Sequence, residues 1–426
     1  MEGEIYGMQR EIQRDYYLDQ LIVRKGNGLI KVITGIRRCG KSYLLRTLFK
    51  RHLIEKGVSE DHIIEMAFDL YENEDYRNPK VFYPWAKNKI RDESKYYFLL
   101  DEIQMMSDFV SVLNGLADDK RCDVYVTGSN AKFLSKDIAT EFGGRGDEIH
   151  MYPLSFSEFM SAYEGNRYDG WNEYLTYGGI PIVALADTDE QKIALLDNLF
   201  KETYITDIQK RYNIRNSAEM ETLLDVLSSA IGSLTNPNKL QKTFKSVNNS
   251  KITATTLTKY IEYLEDSFLI EEVKRYDIKG KSYIGTPMKY YFMDMGLRNS
   301  RLNYRQMEVT HSMENVIYNE LRMRGYKVDV GNLKIIEKGQ AGKAVKKQIE
   351  VDFVCNKASK RYYIQSAYLL ENKEKTAQEI RPFLRINDSF KKIVITSNTP
   401  KPFYNEDGIL IMNVFDFLLN SSALEI

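Results

Sequence analysis

The chain contains 426 residues, which is enough for two to four domains. Hydrophobic residues make up 43% and charged residues 28%, as in ordinary water-soluble globular proteins. Because 60 basic residues balance 60 acidic residues, any contact with nucleic acid must come from local patches rather than from a uniformly basic surface.

The cysteines and the hydropathy of the chain indicate its compartment. Cys39, Cys122 and Cys355 are scattered and form no CxxC pair, so we predict neither a disulfide framework nor a zinc site. The first residues are too charged for a signal peptide. No apolar run approaches the roughly 18 residues that span a bilayer. These features predict a cytoplasmic protein without membrane contact.

The first third of the chain alternates between helix and strand patterns. Apolar residues at helical spacing from Met8 to about Val23 predict a helix, and the run "LIKVITG" predicts the first strand. The segment "SYLLRTLFKRHLIEKG" predicts a helix that ends at Gly57. Three more strand-like runs follow, "HIIEMAFDL", "KYYFLLDE" and "CDVYVTGS". Strands that alternate with helices predict an α/β domain with a parallel sheet.

The pattern changes after "GGRGDEIHMYPLSF". Residues 157–212 predict mostly helices, interrupted by "YGGIPIV". Residues 217–302 predict helices followed by a hairpin, the order of a winged helix-turn-helix. From about Val309 the pattern predicts a helix and then four strands, "KVDV", "QIEVDFVC", "RYYIQSAY" and "KKIVITS".

The segment "GIRRCGKS" fits the phosphate-binding pattern GxxxxGK[ST] completely. Glycines allow the backbone to fold tightly around phosphate oxygens, and the following helix adds the positive end of its dipole. Lys41 would reach the β- and γ-phosphates of ATP, and Ser42 would ligate Mg²⁺. The variable positions are expected to face solvent or neighbouring segments, with a redox-sensitive Cys39 as the alternative. The expected ATP-binding residues are Gly35, Ile36, Arg37, Arg38, Cys39, Gly40, Lys41, Ser42 and Tyr43.

Three later segments hold further candidate catalytic residues. The strand "YYFLLDE" ends in Asp101, which suits Mg²⁺ coordination either directly or through another ligand of the metal, and Glu102, which suits polarisation of the attacking water. After "VYVTG", Ser129 or Asn130 could sense the γ-phosphate, or could simply form a turn. Arg145 in "GGRGDE" could complete the ATP site of a neighbouring subunit, although the residues alone favour an ordinary surface turn.

The order of these motifs resembles the AAA-type (AAA+) ATPases, in particular a prokaryotic branch with a C-terminal domain of unknown function. The segments "FLLDE", "VTGSN", "GGRG" and "YPLSFSEF" carry this resemblance in the first part of the chain. The segments "YLTYGGIPIV", "YITDIQKRYNI", "KYYFMDMGLRN" and "MENVIYNELRMRGY" extend it over nearly the whole chain. The resemblance implies Asn130 as the sensor, Arg145 as an arginine finger acting in trans, and ring-like homo-oligomers, often hexamers.

The resemblance also implies the fold class and the domains. We expect an α/β P-loop core with a parallel sheet, a helical lid, a winged helix and a restriction-endonuclease-like α/β end. The expected boundaries are residues 1–155 for the amino-terminal helix and ATPase core, 156–214 for the lid, 215–305 for the winged helix and 306–426 for the nuclease-like domain.

The last domain has an incomplete nuclease signature. PD-(D/E)xK enzymes place one acid on a strand and an acid-x-lysine on the next, where the acids hold Mg²⁺ and the lysine positions water. Here Glu314 lies on the preceding helix, Glu350 and Asp352 lie on one strand, and Gln365 and Ala367 stand at the acid and lysine positions of the next. We expect a degenerate domain that does not cut, unless Lys373 or Lys375 compensates.

Basic residues predict where nucleic acid would bind. The expected hairpin carries Lys274, Arg275, Lys279 and Lys281, and "GKAVKKQ" adds Lys343, Lys346 and Lys347. A winged helix with basic loops favours contact with the DNA backbone and shape rather than base readout, because the expected recognition helix is acidic. Three function classes remain: an ATP-driven remodeller of branched or replicating DNA, an ATP-controlled switch or defence-type protein with slow turnover, and an ATP-gated nuclease.

Overall fold

The computed structural model of the protein describes residues 11–128, 142–214, 217–248, 250–305, 308–338 and 344–426. The chain divides into two compact units. The first runs to Pro153 and includes Asp266–Phe268, and the second comprises Leu154–Glu265 and Leu269–Ile426.

The first unit contains the predicted parallel sheet, with five strands in the order β2-β3-β4-β1-β5. The strands are β1 (Ile30–Thr34), β2 (Ile63–Ala67), β3 (Tyr96–Asp101), β4 (Cys122–Thr127) and β5 (Gly146–His150). The helices are α1 (Asp15–Val23), α2 (residues 41–55, with a π-helical middle at Leu44–Phe49), α3 (Pro79–Lys89) and α4 (Phe109–Ala117). Short 3₁₀ turns lie at Glu60–His62, Tyr71–Arg77 and Ile103–Met105.

The core of the first unit explains why its strands read as continuous apolar runs. Every residue of β1, β3 and β4 is buried, as expected for parallel strands covered on both faces. One cluster of Val32, Phe98, Leu100 and Val126 packs with Leu113 of α4. Residues 11–14 are not helical, so within the described residues α1 begins later than the apolar spacing predicts.

The second unit begins with helices. α5 starts at a capping box, in which the Ser155 hydroxyl accepts the Glu158 N–H and the Glu158 carboxylate accepts the Ser155 N–H. The helices are α5 (Phe156–Ala162), α6 (Arg167–Tyr177), α7 (Pro181–Ala184), α8 (residues 189–211), α9 (Ser217–Ser229), α10 (Pro237–Asn248), α11 (Ala254–Asp266), α12 (Met295–Arg301), α13 (Val309–Met323), α14 (Lys373–Ile380) and α15 (Val414–Leu419). Two 3₁₀ turns lie at Phe383–Arg385 and Ala423–Glu425.

An eight-stranded mixed sheet completes the second unit, in the order β12-β13-β11-β10-β9-β8-β6-β7. The hairpin β6–β7, predicted as the wing of a separate domain, joins this sheet because β6 pairs in parallel with β8. The sheet therefore crosses the boundary expected at residue 305. Its strands are β6 (Ile270–Asp277), β7 (Ser282–Phe292), β8 (Lys327–Lys338), β9 (Ala344–Lys357), β10 (Lys360–Ala367), β11 (Lys391–Thr396), β12 (Phe403–Tyr404) and β13 (Leu410–Asn413).

Helix α12 connects several parts of the second unit through buried polar contacts. The Asp294 carboxylate, just before α12, accepts the N–H of Gly179 at 2.7 Å and that of Leu297 at 3.1 Å. Asn299 donates to the carbonyl of Leu175 at the end of α6 at 2.8 Å. A Cβ on Gly178 would lie 2.2 Å from an Asp294 oxygen, so the "GG" of "YGGIPIV" is needed for this close approach.

Candidate functional site

The phosphate-loop pattern forms the turn between β1 and α2. Gly35 has a φ of 138° and Gly40 a φ of 102°, conformations that favour glycine. A Cβ on Gly35 would lie 2.1 Å from the carbonyl oxygen of Met151, which no side chain could tolerate. Both glycines of the motif are therefore required by the backbone of the loop.

Lys41 places a buried positive charge within this loop. Its Nζ donates to the carbonyl oxygens of Gly35 at 2.9 Å and Ile36 at 3.0 Å. The loop therefore combines an ammonium group with the start of a helix that continues to residue 55. Such an arrangement suits a bound phosphate, since both the charge and the helix dipole attract anions.

Asp101 at the end of β3 connects the loop to the neighbouring strand. The hydroxyl of Ser42 donates to Asp101 Oδ1 at 3.0 Å, and the hydroxyl of Thr127 donates to the same atom at 2.5 Å. Burial raises the pKa of Asp101, while the hydrogen bonds from Thr127 and Ser42 lower it. One hydroxyl and one carboxylate oxygen side by side form a hard-oxygen set that fits Mg²⁺.

Glu102 has a strained backbone beside these groups. Its φ of 52° and ψ of 45° lie in the left-handed region, which is sparsely populated by non-glycine residues. The Glu102 N–H donates to the Thr127 hydroxyl at 2.9 Å, and the Gln104 side-chain amide donates to a Glu102 carboxylate oxygen. These contacts fix the direction of a half-buried carboxylate next to the phosphate loop.

Thr127 is one residue of this site that the sequence reasoning missed. The register pairs Leu100 with Val126, so the last residue of β4 lies beside the Asp101–Glu102 step. The sequence contained this signal, because a polar residue ends each of two apolar strands that are neighbours in the parallel sheet. Ser129 and Asn130, the candidates for a γ-phosphate sensor, lie outside the described residues.

Arg145 lies at the opposite end of β5 from the phosphate loop. The register pairs Gly146 with Ile30 and His150 with Thr34, after which the loop begins. Arg145 precedes Gly146 and is thus displaced along the strands from the start of its own loop by five steps of about 3.3 Å, or about 17 Å. Its guanidinium pairs with Asp118 at 2.7 Å, and the two side chains are 49% and 68% exposed.

The other residues of the loop divide between solvent and interior. Arg38 and Tyr43 are exposed, and the Tyr43 hydroxyl donates to Glu11 at 2.9 Å. Cys39 is fully buried with its thiol directed at the Met151 carbonyl, 3.5 Å away. This burial argues against the redox-sensitive thiol considered as an alternative, because such thiols need access to solvent.

Arg14 supports the loop from the amino-terminal segment, and sequence reasoning did not single it out. Its guanidinium is buried and donates to the carbonyl oxygens of Cys39 at 2.9 Å and Tyr152 at 2.7 Å. One side chain thereby joins the phosphate loop to the segment after β5. The partners of Arg14 are backbone carbonyl oxygens, which every residue carries, so the sequence gives no pattern from which this contact could be predicted.

In the second unit, the predicted nuclease-like acids converge. Glu314 of α13 and Asp352 of β9 both contact Lys289 of β7, which the sequence had not linked to them. Gln365 of β10 accepts a long hydrogen bond of 3.4 Å from the Asp352 N–H. Lys375, suggested as a substitute for the missing lysine, pairs instead with Glu379 at 2.6 Å.

The predicted basic residues lie on two neighbouring hairpins. β6 and β8 run in parallel, and β6 ends beside Asn332 of β8, which continues to Lys338. Arg275 does not belong to this surface, since it is buried and donates to Gln348 at 3.0 Å. Lys343 lies outside the described residues. The exposed lysines are Lys274, Lys279, Lys281, Lys334, Lys346 and Lys347.

Comparisons with known proteins identify the family. Residues 27–160 match a family model described as an AAA domain, and residues 168–308 match a domain of unknown function, DUF8612. An uncharacterised protein of Haemophilus influenzae is 34% identical over 418 residues, which cover 96% of this chain and 98% of that protein. The chain is an AAA-domain protein of the same family as this relative.

Other similar proteins are more distant from this AAA-domain protein. An uncharacterised protein of Methanocaldococcus jannaschii is 28% identical over 435 residues, covering 97% of this chain and 89% of that protein. The ORC1 protein of Aeropyrum pernix in complex with DNA has 12% identity and a TM-score of 0.28, with 70% of this chain and 94% of that chain covered. AMPPCP-bound DnaA from Aquifex aeolicus has 14% identity and a TM-score of 0.30, with 58% and 85% covered. Likeness at these TM-scores carries no functional conclusion.

One structural observation relates to the predicted absence of membrane contact. Among the residues that the structure describes, no helix combines the length and apolar character needed to cross a bilayer.

Proposed function

We propose that the AAA domain binds ATP with Mg²⁺ and hydrolyses it. The observation that carries this proposal is the Thr127 hydroxyl, which joins the Asp101 carboxylate to the backbone of Glu102. A site that only held nucleotide would need the loop and Lys41 but would not need a second carboxylate held in a strained conformation.

Each residue of the site has a proposed role. Gly35 and Gly40 let the loop surround the phosphates, and Lys41 neutralises their charge. Ser42 and Asp101 would hold Mg²⁺, which supplies charge neutralisation when it is bound. The Glu102 carboxylate orients the attacking water and accepts its proton.

Two further residues are proposed on the family resemblance. Asn130 would sense the γ-phosphate. Arg145 would contribute positive charge to the ATP site of an adjacent subunit in a ring. It would act in trans because it lies at the far end of β5 from its own phosphate loop. Ring formation, with six subunits as the expected number, is part of the same proposal.

Nucleotide binding and hydrolysis are separable by substitution. We expect Lys41→Ala to lose ATP binding, measured by calorimetry with a non-hydrolysable analogue. Glu102→Gln should keep that binding and lose turnover by a factor of about 10²–10⁴, the usual contribution of a general base. Glu93→Gln is a matched control, because the Glu93 side chain is 92% exposed. Normal turnover in Glu102→Gln would show that the base is assigned wrongly.

We propose further that hydrolysis is coupled to binding and remodelling of DNA. The supporting observation is that β6 and β8 are parallel neighbours in the sheet and that exposed lysines lie on or next to them, namely Lys274, Lys279, Lys281 and Lys334. Two adjacent basic hairpins suit contact with phosphates of a duplex or of a branched structure. That residues 215–305 act as a winged helix and residues 306–426 as a nuclease-like domain is part of this proposal.

The DNA proposal is tested by ATPase rates measured without DNA and with duplex, single-stranded and branched DNA. Stimulation by one form would support it, and equal rates in all four conditions would contradict it. Replacing Lys279, Lys281 and Lys346 by alanine should reduce the salt dependence of DNA binding by roughly one unit of slope per residue. Replacing exposed Lys25 and Lys56 of the first unit is the control. Tight ATP binding with slow turnover that DNA does not change would favour the nucleotide-controlled switch instead.

A further inference from the structure

The second unit contains the helix and strand order in which nucleases of the PD-(D/E)xK class hold a metal ion. Helix α13 is followed by the antiparallel strands β8, β9 and β10, and then by α14 and β11, which pairs in parallel with β10. Glu314 of α13 and the pair Glu350 and Asp352 of β9 point to one place in this arrangement. We call these three carboxylates, together with Lys289, the acidic centre.

Lys289 lies in the middle of the acidic centre, although it comes from β7, far from these residues in sequence. Its Nζ is 2.7 Å from Glu350 Oε1, 2.9 Å from Glu314 Oε1 and 3.9 Å from Asp352 Oδ1. Its side chain is only 4% exposed. An ammonium group has three N–H donors, so contacts with several carboxylates occupy its hydrogen-bonding capacity.

The remaining contacts of the carboxylates are also formed within the chain. The Tyr291 hydroxyl donates to Glu314 Oε1 at 2.5 Å, and the Ser366 N–H donates to Asp352 Oδ2 at 2.9 Å. Among the described residues, no group of three His, Cys, Asp or Glu side chains is arranged to hold a metal ion. The carboxylates are therefore oriented towards an internal cation and its neighbours.

The charges in the acidic centre are consistent with this arrangement. Burial opposes ionisation of Glu314, but Lys289, His311 and Tyr291 lower the pKa of its carboxyl to about 2. Burial and the nearby charge of Glu314 raise the pKa of Asp352 well above its usual range. The Lys289 ammonium supplies the positive charge closest to these carboxyl groups, at 2.9 Å from Glu314 and 2.7 Å from Glu350.

We infer that the Lys289 ammonium is the resident cation of the acidic centre, taking the place that a divalent metal would occupy, and that this contact ties β7 to the nuclease-like fold. A divalent cation entering this place would be repelled by the buried ammonium of Lys289. The Mg²⁺ site implied by the nuclease resemblance thus does not fit the residues present.

Replacing Lys289 by a neutral side chain should open the missing metal site. We would measure Mn²⁺ binding to the full chain without nucleotide, by calorimetry and electron paramagnetic resonance. Lys289→Met should gain a site at least tenfold tighter than any in the wild type, whereas Lys289→Arg should gain none. Adding Asp352→Asn to Lys289→Met should remove the gained site, which separates it from any Mn²⁺ bound near Asp101.

A second measurement keeps the inference testable if Lys289→Met is unstable. Mn²⁺ should raise the melting temperature of Lys289→Met, or allow it to refold, but should leave the wild type unchanged. Wild-type Mn²⁺ binding that Asp352→Asn weakens tenfold would overturn the inference. Mn²⁺-dependent cleavage of plasmid DNA that Asp352→Asn abolishes would overturn it too, as would a folded Lys289→Met that binds no Mn²⁺. None of these measurements depends on ATP hydrolysis.

Discussion

Substitution of Thr127 by valine tests the geometry of the proposed ATP site most directly. Valine has nearly the same shape but lacks the hydroxyl, so it removes both the bond to Asp101 and the acceptor for the Glu102 N–H. A hydrogen bond to a charged group contributes about 1.5–3 kcal/mol. If this energy acts mainly in the transition state, turnover falls by roughly 10- to 150-fold while ATP binding changes little.

The assay is steady-state ATP hydrolysis, with analogue binding and a thermal melt measured on the same samples. Thr127→Ser is the matched control, because serine keeps the hydroxyl and loses only a methyl group. We expect Thr127→Ser to keep most of the wild-type turnover, and Thr127→Val to lose it without a large fall in melting temperature. Wild-type turnover in Thr127→Val would refute the reasoning, and so would an equal loss in both variants, since packing would then explain the effect.

Two further predictions concern Asp294 and Arg145. Burial raises the pKa of Asp294 to about 6 from the usual 3.8, so the native state retains a proton that the unfolded chain releases near pH 4. Raising the pH from about 4 to about 6 should therefore lower the free energy of unfolding by up to about 3 kcal/mol, and chemical denaturation of Asp294→Asn should lack this component. Arg145→Ala should bind ATP without hydrolysing it. Mixing it with Glu102→Gln should restore activity at roughly a quarter of the subunit interfaces, and no recovery would contradict a shared site.

The sequence predicted the parallel sheet and the phosphate loop because both depend on local patterns. Apolar runs such as those ending at Thr34 and Asp101 reveal buried strands, and the glycine spacing of the loop follows from backbone conformation. The contacts of Thr127, Arg14 and Lys289 were missed because their partners are far away in sequence. Thr127 contacts a residue 26 positions away, and Arg14 and Lys289 each contact a residue 25 positions away. Such contacts depend on how the strands are ordered and aligned in the fold. Single-sequence patterns do not determine such order.

The position of β6 and β7 shows the same limit at the level of domains. As a hairpin after three helices, these strands read locally as a wing, and nothing in their residues indicates the parallel pairing of Arg275 with Val330. The order of the complete sheet shows that the β6–β7 hairpin and the C-terminal strands β8 to β13 belong to one sheet. Lys289 belongs to this rearrangement, since β7 is part of the same sheet as β9, whose Glu350 it contacts.

The motifs that carried the family resemblance beyond the ATPase core serve the fold. "YGGIPIV" supplies Gly179, whose N–H the buried Asp294 accepts, and "DMGLRN" supplies Asn299, which holds the end of α6. Removing the Asp294 acceptors would leave buried N–H groups unpaired, at a cost of about 1–3 kcal/mol each. Recognition of these segments therefore identifies how α6, α7 and α12 are joined and says nothing about a substrate. Functional conclusions for the second unit must instead come from its basic hairpins and from the acidic centre, where we propose that Lys289 takes the place of a metal ion.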